Sequence, residues 1–448
     1  MSKTLRELLI AAGMSVAESA NKASLFDKAL QALQAKGVSG ERQVRRLFVP
    51  GRIEFLGKHT DYAGGRSLLC AVERGICLVA SPRSDDQLRI IDAGHHAQAE
   101  FRLRAEIRPI AGHWPNYPMT VARRVARNFP GRLRGADIAF ISDLPPAAGL
   151  SSSSALVVAF FSLLADLNVL QERQEYQNNI RSCEDLAGYL GAIENGSSFG
   201  SLAGDRGVGT FGGSQDHTAM LCARPGALIQ YSFCPVRYER TIQLPADHLF
   251  VIGVSGLAAE KTGQARDQYN RASAAVSTIL HLWRQATGRD DGSLAAAVAS
   301  APDALQRLRQ LLQRSSRADF SAQSLLDRLE QFLLESNQLI PAVAEALNSN
   351  RMAQIGELVD RSQAAAEKWL GNQVPQTIFL ARSARELGAL AASAFGAGFG
   401  GSVWALVKAD EAETFSARWA EVYSQRFPGL AARARFFASR AGPALLRC

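Results

Sequence analysis

The 448-residue chain predicts a two-domain protein of mixed α and β structure, strand-rich first and helix-rich later. Three observations predict it. The length exceeds what one hydrophobic core usually serves, so two domains, side by side or interleaved, are expected. Apolar alternation of strand period dominates before residue 142, whereas Leu/Ala faces of helical period dominate residues 262 to 368. The change near residue 258 marks the expected divide, giving segments 1–257 and 258–448.

Taken in order, residues 3 to 35 read as two helices, with Leu5, Leu8 and Leu9, then Ala29, Leu30 and Leu33, spaced for one face. RLFVPGRIEFLG is strand-like and cut by Pro50-Gly51, and a polar loop, GKHTDYAGG, follows. Residues 68 to 81 read as a strand pair turning at Gly75, and residues 87 to 92 as a further strand. A helix is expected over 116 to 128, a strand over 136 to 141, a helix over 154 to 167 and another over roughly 172 to 194. The Gly/Ser run after Asn195 is too permissive for regular structure. Strands near 226 to 233 and 249 to 255 precede the helical region. A last βαβ-like stretch holds GAGFGGSVWALV, a helix over 410 to 425 and the strand RARFF.

Composition narrows the function classes. A content of 47% hydrophobic and 21% charged residues describes a globular protein with a large core. No apolar run reaches membrane-spanning length, so no membrane partner is expected. The N-terminus lacks a signal-like apolar stretch, and a cytoplasmic protein is expected. The six cysteines include no CxxC pair and read as reduced thiols, not a disulfide frame or zinc site. A net charge of +8 suits anionic small substrates, but no basic block with interleaved aromatics appears, so nucleic-acid binding is not expected.

Four clusters can carry chemistry. LPPAAGLSSSSA (144–155) runs into the apolar helix pattern Leu156, Phe160, Leu163, Leu164, Leu167. Gly149 allows a tight loop with inward N–H groups, and the serines sit where a helix has unpaired N–H groups and a positive dipole end. Such an end binds phosphate; the same letters also fit an ordinary Ser-capped helix. No Lys follows the glycine, so a Walker A loop is not supported. Arg52 to Asp61 crowds charged and polar groups beside a glycine loop, suited to a polyhydroxyl ligand or to a solvated turn. Glu194 and Asp216 flank the Gly-rich run. Mg²⁺ bound with nucleotide phosphates takes one or two protein oxygens, so one Ser and one Glu suffice. A separate Asp can orient or deprotonate an acceptor hydroxyl, with Arg52 stabilising charge. Equally, both are common helix-end and loop carboxylates. Gly396 to Gly401 resembles a GxGxxG but precedes a strand, so the dinucleotide context is missing. His95-His96 have no second ligand pair at metal spacing and His217 sits beside Asp216; all three read as surface or satisfied histidines, and no histidine is assigned as a metal ligand.

Together the clusters resemble one family. PGRIEFLGKHTDYAGG is similar to the galactokinase signature PGRxNxxGEHTDYxxG. LPPAAGLSSSSAL resembles the second motif of the GHMP kinases, the superfamily of galactokinase, homoserine kinase and mevalonate kinase. AIENG followed by GGSQDH resembles the galactokinase AExxxxG…GxxDQ region, EKTGQARDQYNRA its SxYNxR helix, and FGAGFGGSVWALV its third motif. The resemblance runs in order from about residue 46 to 437. It implies an α+β fold of two lobes, an N-terminal mixed βα lobe and a C-terminal ferredoxin-like lobe with extra helices. It implies carbohydrate metabolism, with ATP and a monosaccharide as partners, Mg²⁺ as cofactor and phosphorylation at the anomeric hydroxyl. By matched position, Asp216 and Arg52 are the catalytic pair. Pro146, Gly149, Leu150, Ser151, Ser152, Ser153 and Ser154 wrap ATP; Ser153, with Ser152 as fallback, and Glu194 hold the metal. Substrate contacts fall to Arg52, Glu54, Lys58, His59, Asp61, Asp216, Tyr269 and Gly398. A monomer or weak homo-oligomer is expected.

Two departures matter. The family's Glu before His-Thr-Asp is Lys58 here, and its Asn two residues after the Arg is Glu54. A Lys there loses an acceptor for the hydroxyl on carbon six and gains a cation suited to a uronic acid; alternatively it pairs with Glu54 and reshapes the pocket. The insert 197–211 reads as a mobile lid or a plain flexible loop. A non-catalytic sugar- and ATP-binding regulator is the second functional class, and retention of Arg52, Asp216 and Glu194 argues for catalysis. An isoprenoid-alcohol kinase is the third, and the HTDY segment with Asp61 speaks against it.

Overall fold

A computed structural model describes residues 3–38, 44–110, 112–257, 263–315 and 318–448. Helices α1 (Leu5–Ala11) and α2 (Val16–Gln34) start at Thr4 and Ser15, whose hydroxyls accept from Glu7 and Glu18 backbone N–H groups. Then come strands β1 (Arg45–Leu56), β2 (Arg66–Pro82), β3 (Gln87–Asp92) and β4 (Ala97–Arg102), helix α3 (Asn116–Asn128) and β5 (Ala136–Ser142). Helices α4 (Ser152–Leu167), α5 (Gln174–Asn179), α6 (Cys183–Asn195) and α7 (Gln215–Cys222) precede β6 (Ala227–Ser232), β7 (Arg237–Gln243) and β8 (His248–Val254). The helical region holds α8 (Gly263–Thr287), α9 (Leu294–Ala299), α10 (Ala304–Gln313), α11 (Ala322–Leu333), α12 (Ile340–Asn348) and α13 (Met352–Ala365). The chain closes with α14 (Pro375–Glu386), β9 (Ala391–Phe395), β10 (Ser402–Lys408), α15 (Ala412–Arg426), β11 (Arg435–Ser439), β12 (Ala441–Gly442) and β13 (Leu446–Arg447).

Among the described residues the strands form two sheets. The larger has the order β13-β1-β2-β5-β3-β4, with β6 and β12 also on β2 and β7 on β6; only β3–β5 is parallel. The smaller is antiparallel, β11-β8-β10-β9. Phe55 of β1 stacks on Trp404 of β10 at 4.2 Å between ring centroids, and both meet Phe250 of β8. These rings join the sheets into one apolar core. Burying each contributes roughly 1.5–3 kcal/mol.

The expected divide at 257/258 does not separate the sheets. β8 lies before it yet pairs with β10 and β11. β12 and β13, at the far end of the chain, return to β2 and β1. Strand pairing, not chain position, sets the lobes. Gly75 is no turn: β2 continues through it at a register irregularity against β1, and glycine is needed there because a Cβ would strike the Val49 carbonyl oxygen of β1. The helix expected over 172 to 194 is two helices, α5 and α6, broken at Ile180 to Ser182, where Ser182 caps α6 by accepting from Asp185. β4 and β7 were not predicted; their edge positions leave mixed polar sequences.

Candidate active site

The serine-rich loop is built from alternating backbone hands. Ala147, Gly149 and Ser151 all have positive φ, +50°, +76° and +60°. Alternating left-handed residues turn successive N–H groups to one side, the concave arrangement that receives anions. α4 begins at once, with its N-terminus opening onto the same space. Gly396 supports the loop from behind: a Cβ there would sit 3.0 Å from the Gly149 carbonyl oxygen. Ser402 donates to the Ala148 carbonyl at 2.5 Å. The third glycine motif therefore braces the first loop.

Arg52 enters from β1 at the irregularity after Pro50, where β1 shifts register against β2. It is almost fully buried. Its Nε donates to Asp216 Oδ1 at 2.7 Å and its Nη1 to the Gly149 carbonyl at 2.6 Å. Burial opposes the guanidinium charge, but the Asp216 and Glu54 carboxylates outweigh it and raise the Arg52 pKa. Asp216 lies in the first turn of α7, a favourable end for a carboxylate. Its Oδ2 accepts from Ser151 Oγ at 2.6 Å. One partly buried ion pair thus joins β1, α7 and the serine loop.

A cavity of about 400 Å³ lies over this junction, lined by Arg52, Asp216, Glu194 and Ser151 to Ser154. Asp61, His59 and Tyr269 line it as well. Asp61 Oδ2 accepts the Gln215 backbone N–H at 3.2 Å. Burial pushes Asp61 up to about 6, against the pull of that hydrogen bond. His59 has φ +57°; its Nδ1 meets the Tyr62 hydroxyl at 2.8 Å and its Nε2 the Ala397 carbonyl at 3.1 Å. Its ring lies 5.1 Å from that of Tyr269.

The serine facing Glu194 is Ser154, whose hydroxyl donates to Glu194 Oε2 at 2.8 Å and approaches Asp216 Oδ2 at 3.4 Å. It is this hydroxyl, not that of Ser153 or Ser152, that meets Glu194, because α4 turns only its third residue toward α6. Ser154 and Glu194 present two hard oxygens beside the cavity, a donor set that fits Mg²⁺. Among the described residues no group of three or more His, Cys, Asp or Glu forms a metal cluster.

Several expected contacts do not reach the cavity. Lys58 is buried, and its Nζ donates to Ser393 and Ser362 at 2.8 and 3.1 Å. It neither points at the cavity nor pairs with Glu54. Glu54 accepts from Gln215 Nε2 at 2.8 Å behind the wall. Leu150 is core, Pro146 is exposed outside the lining, and Gly398 faces Asn372, whose carbonyl would lie 2.3 Å from a Cβ there. Glu260 to Thr262 of the EKTG stretch lie outside the described residues.

Other residues were missed or misread. Trp114, Tyr117 and Thr210 line the cavity. The 197–211 insert is not a free loop: Arg123 pairs with Asp205 at 2.7 Å, and Arg124 and Asn128 donate to Ser197 and Ala203 carbonyls. Two of the cysteines expected as thiols, Cys183 and Cys222, form a disulfide linking the far ends of α6 and α7. Chain separation hid the pair. His217 is buried in the cavity wall. No described helix is long and apolar enough to cross a membrane.

Comparison with known proteins bears on this geometry. The galactokinase galactose-binding signature matches residues 39–82, the GHMP kinase N-terminal domain 116–201 and the GHMP kinase C-terminal domain 343–425. Galactokinase of Chloroflexus aurantiacus is 28% identical over 397 residues, 86% of this chain and 90% of that protein. Galactokinase of Roseiflexus sp. is 29% identical over 388 residues, 84% and 86% of the two chains. The crystal structure of Lactococcus lactis galactokinase complexed with galactose superposes with a TM-score of 0.74 at 22% identity, covering 94% of this chain and all of that one. A Methanococcus jannaschii mevalonate kinase shares the fold at a TM-score of 0.52 and 12% identity, covering 90% of this chain and 99% of that one. The chain belongs to the GHMP kinase superfamily and has its α+β fold. Within it, the galactokinase signature and the full-length relatives make it a galactokinase-like sugar kinase that uses ATP.

Proposed function

We propose that the enzyme transfers the γ-phosphoryl group of ATP to the anomeric hydroxyl of a neutral, galactose-like hexose, in the cytoplasm and with Mg²⁺. The observation that carries this reading is the Arg52–Asp216 pair, bonded on one side to the Gly149–Ser151 loop and open on the other to the cavity containing Asp61. The loop N–H groups and the α4 N-terminus hold the phosphate tail. Asp61 accepts ring hydroxyls, and Tyr269 and His59 close the sugar side. Asp216 takes the acceptor proton as the new O–P bond forms and the bond to ADP breaks. Arg52 fixes Asp216 and steadies the transferred group. Ser154 and Glu194 are the residues that would hold Mg²⁺, which would supply neutralising charge for the phosphates.

A uronic acid is the weaker candidate, because the Lys58 ammonium is spent on two serines away from the cavity. An ADP-release assay over galactose, glucose, galacturonate and glucuronate tests this. A neutral hexose turns over fastest; a preferred uronate overturns the substrate class. A sensor on the same fold would bind sugar and ATP and release no ADP.

Sugar affinity should depend on Asp61 ionisation. With a pKa near 6, the carboxylate is lost as pH falls, so KM for the sugar is about tenfold higher at pH 5 than at pH 8. Folding moves the other way. A carboxyl whose folded pKa is raised stabilises the fold below its unfolded pKa, and that contribution is lost as pH rises through 6. Steady-state KM from pH 5 to 8 checks the first expectation. A flat profile would remove Asp61 from sugar binding.

A further inference from the structure

His217 lines the same cavity, and the reaction above gives it no task. Its side chain is 2% exposed, and among the described residues neither ring nitrogen has a hydrogen-bond partner. Yet Nε2 lies 3.1 Å from Glu194 Oε2, close but outside hydrogen-bonding geometry. Ser154 Oγ is 2.8 Å from that same carboxylate oxygen. We propose that His217 Nε2 is a third protein ligand of the divalent ion held by Ser154 and Glu194, making the site a mixed nitrogen–oxygen one. The inference rests on the kinase reading and extends its metal site.

Three arguments support it. First, a buried imidazole with neither nitrogen hydrogen-bonded carries a desolvation cost, and an ion relieves the Nε2 share of it by taking that lone pair. Second, two adjacent ligands of an octahedral ion with bonds of about 2.1 Å lie about 3.0 Å apart, close to the spacing found here between Nε2 and Oε2. A ring placed there only to fill space has no reason to hold that distance. Third, α7 separates two tasks on neighbouring residues. Asp216 turns to Arg52 and Ser151, and His217, about 100° further round the helix, turns to Glu194 of α6. The galactokinase pattern GxxDQ has a glutamine at this position, and an amide nitrogen has no lone pair to offer a metal.

The chemistry predicts selectivity. An imidazole ligand favours ions later in the divalent series over Mg²⁺, so Mn²⁺ and Co²⁺ gain more from His217 than Mg²⁺ does. With three protein donors, the nucleotide phosphates and water complete the shell, so tight binding requires nucleotide.

The test uses the full-length protein with Mn²⁺, galactose and AMP-PCP, a non-hydrolysable analogue with no nitrogen in its phosphate chain. Electron spin-echo envelope modulation reads nitrogen coupled directly to the manganese. The native complex shows the ¹⁴N modulation of a bound imidazole. In His217→Gln the modulation disappears, and the Mn²⁺ dissociation constant rises about tenfold or more, against a smaller change for Mg²⁺. A native complex that binds Mn²⁺ without ¹⁴N coupling overturns the proposal, including the case in which His217 merely hydrogen-bonds Glu194. This native measurement does not depend on how well the variant folds. ADP release with Mg²⁺ on the same preparation separates the two levels: turnover without ¹⁴N coupling removes only His217, whereas no turnover on any sugar removes the kinase reading.

Discussion

Asp216→Asn lowers turnover by about 10²–10⁴-fold, the usual value of a positioned general base, with a far smaller change in sugar KM. The amide keeps an oxygen for Arg52 Nε but cannot take the acceptor proton. Ser151, which donates to Asp216 Oδ2, then faces either an amide donor or the remaining oxygen. Asp216→Ala loses as much activity and, in addition, stability. It leaves the Arg52 guanidinium buried without its nearest counter-charge, which costs about 3–5 kcal/mol in a closed interior. The Asp216 side chain is 15% exposed, so the lower end of that range applies. Urea unfolding and ADP-release kinetics on the two variants separate the roles: activity falls in both, and stability falls mainly in the alanine variant. Near-native turnover in Asp216→Asn would remove the base from the mechanism.

Lys58→Met lowers unfolding stability by about 3 kcal/mol without changing sugar preference. Lys58 is enclosed among Ser362, Ser393 and two buried carboxylates, Glu54 and Glu335. Burial pushes Glu54 up to about 8, and Arg52 and Lys58 hold it down. Removing the cation takes this balance from Glu54 wherever Glu54 is ionised, a loss of up to about 3–5 kcal/mol. The sign with pH is fixed by Glu54. Its folded pKa lies above the unfolded value, so its contribution to stability is lost as pH rises through 8. Without Lys58 the Glu54 proton is held more tightly, and the penalty of the substitution is larger at pH 9 than at pH 6. Urea melts at those two pH values check this. The ratio of galactose to galacturonate turnover should stay constant; a marked swing would return Lys58 to the sugar.

Much of the site was legible because its parts are local. The serine loop announces itself by small residues running into an apolar helix, and the structure adds the alternating positive φ at Ala147, Gly149 and Ser151. The Arg52–Asp216 meeting, 164 positions apart in the chain, followed from the family resemblance, not from spacing. Orientation was not legible. Four serines in a row offer no clue to which faces Glu194 until the start of α4 fixes the helical phase, and the phase selects Ser154. Lys58 sits in a sugar-binding signature, yet its ammonium turns to serines of α13 and β9. Nothing local encodes those partners, some 300 residues later. The same long range hid the Cys183–Cys222 bridge, the use of Gly75 as a contact point and the return of β12 and β13 to the first sheet. His217 carries no signal in the sequence beyond its place beside Asp216. Its neighbour, Glu194, comes from a different helix.

The central claim is that one cleft brings an anomeric hydroxyl to the γ-phosphate of ATP beside Asp216. Phosphorus-31 NMR of the product formed from ATP and galactose tests it most directly. The account predicts a sugar phosphate whose phosphorus couples to the anomeric proton, formed together with ADP. Phosphorus on another hydroxyl, or inorganic phosphate alone, would contradict it.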